Sequence, residues 1–331
     1  MTRALVTGIG GFVGSHLADF LLARGYDVFG TILRGESLRN IEQVSDRIEV
    51  FECDLRDSLG LEQVLERTCP EEIYHLAAVS HVPTSFSRPR LTFQVNIIGT
   101  LNLLEAVREQ RLRPRILCAG SASEYGVVPS DTLPITEEVR LCPVDPYGVS
   151  KAGANLLAYQ YFRAHGMHIL RTRSFNLIGP RQSPDFAVSS FARQIAVAEN
   201  CDSSRLLRVG DLAPERDLTD VRDAVAAYWM LVQEGEPGEV YNVCSGQGFT
   251  MADVLDRLVG QSRVDVTVVS DTAKMRTTEI PTLVGDNTKL RHQTGWMPKF
   301  VLDETLSSIL EYWREEIRRS SLTQDKGNLR A

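Results

Sequence analysis

Three side chains near the middle of the chain have the types and spacing that carbonyl chemistry needs. In the segment DPYGVSK, Tyr147 and Lys151 are four residues apart, which on a helix puts them on one face, one turn along. A phenol loses its proton at about pH 10 in water, and a neighbouring ammonium lowers that pKa. Tyr147 could then give a proton to an alkoxide as it forms. Ser121, in the segment ILCAGSASEYG, could polarise the same carbonyl group.

The placement of these residues decides how much weight they carry. A tyrosine and a lysine at this spacing also occur by accident on helix surfaces, so the pair alone is weak evidence. Here the apolar run 116–119 predicts a buried strand that ends just before Ser121, and residues 147–165 have the pattern of a helix. Side chains at the end of a strand and at the start of the next helix can converge on one substrate.

The composition is that of an ordinary globular protein and argues against several classes of function. The 331 residues are 43% hydrophobic and 24% charged, with a formal net charge of −7. A surface that follows nucleic-acid phosphates needs clustered lysine and arginine, so no nucleic-acid partner is expected. No apolar run is long enough to span a membrane. The six cysteines form no C-x-x-C pair and the histidines fit no metal spacing, which favours a cytoplasmic location and no bound metal.

The order of apolar and amphipathic segments predicts an α/β fold. Strands and helices alternate through the first half, which is typical of a parallel sheet covered on both faces. We expect a Rossmann-type doubly wound parallel sheet with a smaller C-terminal α/β substrate domain. The predicted strands are 3–7, 26–32, 48–53, 72–77, 115–119 and 167–173, and the main predicted helices are 12–24, 58–67, 91–110, 147–165, 250–259 and 303–316. The predicted divisions are 1–175 for the dinucleotide-binding domain, 176–318 for the substrate domain and 319–331 for a polar tail.

A glycine-rich turn joins the first predicted strand to the first predicted helix. In VTGIGGFVGSHL, Gly8, Gly11 and Gly14 allow a tight turn, close approach of a diphosphate and close packing of the helix on the sheet. Phe12 and Val13 then begin the helix, whose free N–H groups face the anion. Spaced glycines alone are weak evidence, but at the first strand–helix junction of an α/β chain they predict a dinucleotide site.

The end of the second strand indicates which dinucleotide is bound. An NAD site usually has an acidic residue there to hold the ribose 2′-hydroxyl. The segment DVFGTILRGESLRN has no acid at the strand end, and it has Arg34 and Arg39 close behind. Arginine can pair with a 2′-phosphate, although both residues could also be solvated loop charges. Glu36 is the one residue here that favours NAD(H). Because the arginines and the missing acid at the strand end favour the phosphorylated cofactor, we predict NADP(H) and leave NAD(H) open as well.

Two further pairs of residues complete the predicted cofactor site. Asp54 and Leu55 follow the third predicted strand, where they could hold the adenine. Ala77 and Ala78 follow the fourth, where small side chains leave room for the cofactor to lie flat.

Taken together, these motifs resemble the extended short-chain dehydrogenase/reductases that act on nucleotide sugars. The resemblance covers the chain from Arg3 to about Trp313. It rests on TGIGGFVGSHL, CDLRD, HLAA, NIIGTLNLLEA, SASEYG, YGVSK, FNLIGPRQ and RDLTDVRDAV. It implies that Ser121, Tyr147 and Lys151 are the catalytic set, and that a homodimer forms through helices 91–110 and 147–165.

The residues after Ser121 narrow the chemistry within that family. In its 4,6-dehydratases this position is followed by Asp-Glu or Ser-Glu, which supplies the acid–base residue for elimination. Here Ala122 and Ser123 follow, and a serine hydroxyl cannot take a carbon-bound proton at neutral pH. Glu124 comes one position later, where a turn should aim it elsewhere. A plain ketoreductase needs no such base.

Several longer segments resemble one branch of the family, the GDP-6-deoxy-D-mannose reductases. These enzymes reduce the 4-keto group of GDP-4-dehydro-6-deoxy-D-mannose to give GDP-D-rhamnose, so the resemblance implies a GDP-sugar as partner. Arg216 suits a diphosphate, although PERDL could equally hold an Arg216–Asp217 structural pair. The preference for guanine rests on resemblance alone. The substrate contacts expected on this basis are Ser85, Ser123, Glu124, Asn176, Arg216, Arg276 and Glu279.

Three alternatives stay open from the sequence. The first is a GDP-mannose 4,6-dehydratase, against which Ala122 and Ser123 count. The second is a nucleotide-sugar 4-epimerase, which usually keeps NAD tightly bound. The third is a non-catalytic NADP-sensing regulator on the same fold, although such proteins tend to lose the tyrosine or the lysine of the pair. The stereochemistry at C4 of the product does not follow from the sequence.

Overall fold

The fold is taken from a computed structural model that describes residues 1–200, 205–274 and 280–328, with side chains as far as Ser320. The strands are β1 Arg3–Thr7, β2 Asp27–Ile32, β3 Ile48–Glu52, β4 Glu72–His75, β5 Arg115–Ser121, β6 Ile169–Ser174, β7 Asn176–Ile178, β8 Leu206–Val209, β9 Glu215–Asp220, β10 Val240–Val243, β11 Gly248–Thr250, β12 Thr267–Ser270 and β13 Thr282–Leu283. The α-helices are α1 Phe12–Leu22, α2 Ser58–Thr68, α3 Val82–Ser87, α4 Pro89–Phe93, α5 Gly99–Glu109, α6 Pro146–His165, α7 Ala187–Asn200, α8 Val221–Glu234, α9 Met251–Val259, α10 Thr288–Thr294 and α11 Leu302–Asn328.

A seven-stranded sheet forms the centre of the large lobe, with the order β10-β6-β5-β4-β1-β2-β3. All neighbouring strands are parallel. The strand order reverses between β1 and β4, and such a switch point opens a crevice beyond the carboxyl ends of the strands. The predicted doubly wound α/β sheet is confirmed, and its β1, β4 and β5 ends all face this crevice.

Alternation along each strand explains why both faces of the sheet are covered. In β1, Ala4 and Val6 belong to one apolar cluster and Leu5 to the other, because successive strand residues point to opposite faces. Helices α1 and α8 pack on the first face, and helices α2, α5 and α6 pack on the second. The buried strands therefore have apolar contacts on both sides, as a parallel sheet requires.

The predicted helix 91–110 is continuous, but its hydrogen-bond pattern changes in the middle. Helix α4 passes into a π-helical turn at Gln94–Ile98, and α5 continues from Gly99. Asn96, in the middle of this wider turn, has a buried side chain. Isolated π-turns occur frequently at functional sites, and this one adjoins the carboxyl edge of β4.

One segment beyond the predicted division at residue 175 returns to the large lobe. Strand β10, at Val240–Val243, pairs with β6 in the large sheet, although it lies within the predicted substrate domain. Helix α8 also packs on the large lobe, because Val225, Tyr228 and Leu231 join the same apolar cluster as Leu17 of α1. The chain thus leaves the large lobe after β6 and returns to it before completing the small lobe.

The small lobe is built around strand β9. Strands β7 and β13 pair with it in parallel and β11 pairs with it antiparallel, while β8 and β12 form a separate two-stranded sheet. Helices α7, α9 and α11 share an apolar cluster with these strands. Helix α11 continues to Asn328, so the described part of the predicted polar tail 319–331 is helical. The polar segment 317–328 contains no proline to end the helix.

The described residues offer neither a membrane-spanning helix nor a metal cluster. No described helix is both long enough and apolar enough to cross a membrane. The described histidine, cysteine and acidic side chains form no group of three or more that could hold a metal ion.

The glycine at position 14 should be essential to packing. A Cβ there would lie 2.3 Å from the carbonyl oxygen of Gly8, whereas a Cβ at Gly260, which ends α9, would lie 3.4 Å from its nearest neighbour. We predict that Gly14→Ala lowers the free energy of unfolding by about 1–3 kcal/mol. Gly260→Ala should leave it unchanged or raise it by about 0.4–1 kcal/mol. Urea unfolding of both variants tests this, and equal midpoints would contradict it.

Candidate active site

The Ser121 turn lies at the carboxyl end of β5. The strand ends at Ser121, and a short 3₁₀ turn follows at Ala122–Glu124. The Ser121 hydroxyl accepts a hydrogen bond from the Ser123 amide at 3.2 Å, and Glu124 Oε1 accepts one from the Ser121 amide at 2.9 Å. This reciprocal capping box fixes the turn, so the Ser121 side chain is held at the edge of the sheet.

The first turn of α6 carries Tyr147 beside Ser121. Asp145 caps this helix by accepting a hydrogen bond from the Gly148 amide at 2.7 Å, and Ser85 Oγ accepts one from the Tyr147 amide at 3.1 Å. Burial raises the pKa of the Tyr147 phenol, while its hydrogen bond with the Ser121 side chain opposes that rise. The structure thus joins the two predicted catalytic hydroxyl groups directly.

Lys151 lies one turn further along α6, under the same edge. Its Nζ donates a hydrogen bond to the Ala119 carbonyl of β5 at 2.7 Å. Burial lowers the pKa of Lys151 to about 8, and the nearby Glu124 carboxylate opposes this shift. A neighbouring ammonium is expected to lower the pKa of the Tyr147 phenol. In the protein alone the pKa of Tyr147 is raised, because burial outweighs the other effects.

The glycine-rich turn has the geometry of a phosphate loop. Gly8 has φ +72°, and a Cβ there would lie 3.0 Å from Ala77 Cα. Gly11 precedes α1 and supplies no side-chain cap, so the first-turn amides of Phe12 and Val13 keep no side-chain acceptor at this end. Uncapped amides beside a backbone without side chains fit a diphosphate well. The predicted dinucleotide site therefore agrees with the structure at this loop.

A chain of buried hydroxyl and imidazole groups supports the floor of the crevice. Thr7 Oγ1 accepts hydrogen bonds from the Leu76 and Ala77 amides at 3.1 and 3.2 Å and contacts His75 Nδ1 at 2.9 Å. His75 Nε2 lies 2.9 Å from Thr100 Oγ1. Burial lowers the pKa of His75 to about 3, so the ring stays neutral. These bonds hold Ala77 against the phosphate loop.

Asn96 is a positioning residue that the sequence did not single out. Its Oδ1 accepts a hydrogen bond from the Val79 amide at 2.8 Å, and its Nδ2 donates to the Val79 carbonyl at 3.1 Å. Nδ2 also donates to Ser150 Oγ at 2.8 Å, and Ser150 Oγ donates to the Tyr147 carbonyl at 2.7 Å. Asn96 thus ties the segment after Ala78 to the catalytic helix. A polar residue within the apolar run QVNIIGTL was the available signal.

The segment after β2 has features that favour each cofactor. Arg34 and Arg39 are both exposed, and Arg39 forms an ion pair with Glu316 of α11. Glu36 folds back so that its Oε2 accepts a hydrogen bond from the Leu33 amide at 2.9 Å. The acidic residue that favours NAD(H), Glu36, therefore lies close behind β2. Of the two arginines that favour NADP(H), Arg39 is held in an ion pair, and no ion pair is described for Arg34.

Asp54 and Leu55 occupy the carboxyl end of β3. The Asp54 carboxylate binds the Arg56 guanidinium, with the shortest contact at 2.6 Å, and Arg56 lowers the pKa of Asp54. Leu55 is buried against Gly99. Their predicted contacts with adenine stay predictions, and Asp54 already has a cationic partner.

Two of the predicted substrate contacts, Asn176 and Arg216, lie on strands of the small lobe. Asn176 begins β7 with an exposed side chain. Arg216 in β9 is only 7% exposed, and its Nη1 donates to the Glu215 and Pro281 carbonyls at 2.8 and 3.2 Å. The predicted contacts at Arg276 and Glu279 lie outside the described residues.

The neighbour of Arg216 points elsewhere. Asp217 accepts hydrogen bonds from the Ser245 amide and hydroxyl and from the Gly246 amide, each at 2.8 Å. Consecutive strand residues face opposite sides of a sheet, which explains why Asp217 holds the loop after β10. The carboxylate of Asp217 therefore binds this loop, and not Arg216 as the alternative from the sequence had it.

Two predicted substrate contacts need correction. Ser85 is fully buried, and its hydroxyl donates to the Val82 carbonyl at 2.7 Å while accepting from the Tyr147 amide. Glu124 is also fully buried, because the 3₁₀ turn directs it inward onto Arg173. Both residues support the site from below. Ser123 stays partly exposed on the turn.

Comparisons with known proteins agree with this geometry. Residues 5–309 match the family model described as GDP-mannose 4,6 dehydratase. GDP-6-deoxy-D-mannose reductase from Pseudomonas aeruginosa is 36% identical over 316 residues, which cover 96% of this chain and 98% of the relative. GDP-mannose 4,6-dehydratase from Vibrio cholerae is 30% identical over 365 residues, which cover 98% and 96%.

Solved structures show the same fold with nicotinamide cofactors. The structure of RMD from Pseudomonas aeruginosa complexed with NADPH aligns with a TM-score of 0.83 at 34% identity, covering 95% of this chain and all of its own. UDP-glucose 4-epimerase from Thermus thermophilus, in complex with NAD, aligns with a TM-score of 0.84 at 29% identity, covering 95% and 99%. The predicted enzyme class and nicotinamide cofactor agree with these relatives. The chain belongs to the GDP-mannose 4,6 dehydratase family of extended short-chain dehydrogenase/reductases.

Proposed function

We propose that this enzyme reduces the 4-keto group of GDP-4-dehydro-6-deoxy-D-mannose to give GDP-D-rhamnose, with NADPH as the reductant. The observation that carries the proposal is the Ser121 turn. Ser121 is joined to the Tyr147 phenol, while Ala122 is buried, Ser123 carries no acid and Glu124 faces the interior. The turn thus keeps the groups for carbonyl reduction and presents no carboxylate for elimination.

The residues divide the reduction between them. The glycine-rich turn before α1 would hold the nicotinamide cofactor, which would supply the hydride that C4 of the hexose accepts. Ser121 donates a hydrogen bond to the ketone oxygen, and Tyr147 gives its proton to that oxygen as negative charge develops. Burial raises the pKa of Tyr147, so the phenol carries its proton at neutral pH and gives it up only to the alkoxide, a stronger base, as that forms. Lys151 holds positive charge beneath the site and stabilises the phenolate that remains.

The nucleotide part of the proposal rests on both the site and the relatives. Asn176 is exposed at the start of β7, and β7 pairs with β9, which carries the Arg216 guanidinium, a group that suits a diphosphate. The choice of guanine and of the D-rhamno product follows the Pseudomonas aeruginosa reductase. The geometry of the Ser121 turn thus supports the reaction type, and similarity to the reductase supports the choice of substrate.

The direct test supplies the keto sugar to the purified protein. A separate dehydratase generates GDP-4-dehydro-6-deoxy-D-mannose, after which NADPH oxidation is followed by absorbance and the product is identified by NMR. One NADPH oxidised for each GDP-D-rhamnose formed supports the proposal. Conversion of GDP-mannose itself to the keto sugar would show a dehydratase. Cofactor binding without any turnover would favour the NADP-sensing regulator.

Replacement of the catalytic phenol should stop the chemistry while leaving the cofactor bound. We predict that Tyr147→Phe lowers kcat for the keto sugar by about 10²–10⁴-fold, because general acid catalysis contributes that much. The dissociation constant for NADPH, measured by fluorescence titration, should not change. Tyr159→Phe on an exposed position of the same helix is the matched control. Retention of kcat in Tyr147→Phe would contradict the assignment.

Arg34 should distinguish the two cofactors. We predict that Arg34→Ala raises KM for NADPH roughly tenfold to a hundredfold, because a hydrogen bond to a charged group contributes about 1.5–3 kcal/mol. KM for NADH, which lacks the 2′-phosphate, should change little. Arg47→Ala serves as the control. Arg47 is also exposed, but it lies at the amino end of β3, whereas Arg34 follows the carboxyl end of the neighbouring strand β2. Equal losses for both cofactors would disprove a 2′-phosphate contact at Arg34.

We also propose a homodimer through 91–110 and 147–165. The support is exposed apolar surface on these helices, where Leu156 is 59% and Ile98 46% exposed. An exposed apolar side chain on each of these two helices is what a shared interaction surface would need. We predict that Leu156→Arg halves the mass measured by light scattering, while Leu206→Arg on the small lobe does not. A monomeric wild-type protein would rule the dimer out.

A further inference from the structure

The carboxylate of Glu124 lies in a fully enclosed site directly beneath the catalytic turn. Its Oε1 accepts hydrogen bonds from the Ser121 amide at 2.9 Å and from Asn155 Nδ2 at 3.4 Å. Its Oε2 accepts one from Arg173 Nε at 3.1 Å. Both carboxylate oxygens thus have protein partners, and one of those partners is the backbone of the catalytic serine.

Arg173 anchors this carboxylate to the rest of the sheet. Its Nη1 donates hydrogen bonds to Tyr125 Oη and to the Glu137 carbonyl, each at 3.1 Å. Tyr125 Oη in turn donates to Asn242 Oδ1 of β10 at 2.7 Å. The ion pair is therefore braced by β6, by β10 and by the loop before α6, so the position of Glu124 does not depend on the turn alone.

We propose that Glu124 is a positioning residue for the reduction, acting through Ser121, Tyr147 and Lys151. It holds the Ser121 amide in place, and it keeps a buried negative charge under the phenol and the ammonium. That charge favours the protonated forms of both groups, which are the forms that ketone reduction requires. The inference rests on the proposed reductase function and assigns Glu124 a role apart from elimination.

The electrostatics of the neighbouring groups support this role. The Glu124 carboxylate raises the pKa of Tyr147 beyond the rise that burial causes. It also raises the pKa of Lys151 against the burial that lowers it to about 8. For Glu124 itself, burial raises the pKa, while Arg173 and the Ser121 amide favour the carboxylate. The other titratable and charged groups that face these residues are Asp145, Arg171, Tyr125, Tyr228, Cys118 and His75.

The test removes the charge and keeps the shape. In Glu124→Gln the amide oxygen can still accept from the Ser121 amide, while the amide nitrogen replaces the oxygen that accepted from Arg173 Nε. We predict that the alkaline limb of the kcat–pH profile moves down by about one pH unit, because the pKa values of Tyr147 and Lys151 both fall without the carboxylate. KM for the keto sugar should stay near the wild-type value. Glu124→Asp, which retains the charge, should restore the alkaline limb.

A matched control separates this effect from simple destabilisation. Glu199 and Arg314 form a similarly buried ion pair in the small lobe, with none of their described partners in the Ser121 turn. Glu199→Gln should lower the unfolding midpoint without moving the alkaline limb. If Glu124→Gln does not fold because Arg173 is left unpaired, the double variant Glu124→Gln/Arg173→Gln removes both charges and should shift the limb in the same direction.

A second readout works without turnover. The absorbance of tyrosinate is titrated in the NADP⁺ complex, and the Tyr147→Phe signal is subtracted so that the titration of Tyr147 alone remains. Its midpoint should be lower in Glu124→Gln than in wild type. An unchanged midpoint in a folded variant would overturn the proposal. If the wild-type protein fails to reduce the keto sugar but the midpoint shifts, the substrate assignment fails and the role of Glu124 stands.

Discussion

The hydrogen bond from Lys151 Nζ to the Ala119 carbonyl, at 2.7 Å, joins the catalytic helix to the catalytic strand. A buried ammonium is costly unless it is paired and hydrogen-bonded, and its pKa of about 8 reflects that cost. The carbonyl of β5 and the Glu124 carboxylate below it supply the compensation. With Lys151 fixed in this way, Tyr147 one turn earlier lies against Ser121. The alignment of the proton donor thus depends on a lysine that is itself held by the sheet.

The cofactor floor and the proton donor belong to one hydrogen-bond network. Thr100 Oγ1 contacts the imidazole of His75 on one side and donates to the Asn96 carbonyl at 2.7 Å on the other. The Asn96 side chain then reaches Ser150 on the catalytic helix. In the proposed reaction, this network would link the cofactor site to the backbone of Tyr147. Elements far apart in the sequence act together because they meet at the carboxyl edge of one parallel sheet.

Local patterns were enough to predict the glycine loop, the strand ending at Ser121 and the helix carrying Tyr147, because each depends on neighbouring residues. Contacts between segments that are distant in the sequence leave no local pattern, so they could not be predicted from it. Strand β10 has only the residues Val240–Val243, and its return to the large sheet is decided by the packing of α8. The inward direction of Glu124 depends on the 3₁₀ turn and on Arg173, 49 residues away. The Arg39–Glu316 ion pair likewise required the tertiary fold.

The central claim is that a hydride from the cofactor is delivered to C4 and leaves C5 untouched. The most direct measurement uses the keto sugar as substrate in two reactions, one with NADPH deuterated at both C4 positions of its nicotinamide in ordinary water and one with unlabelled NADPH in D2O. We predict one deuterium at C4 of the deoxyhexose and none elsewhere in the first reaction, and no deuterium introduced at C5 by this protein in the second. Product without deuterium at C4, or exchange at C5 that requires this protein, would contradict the claim.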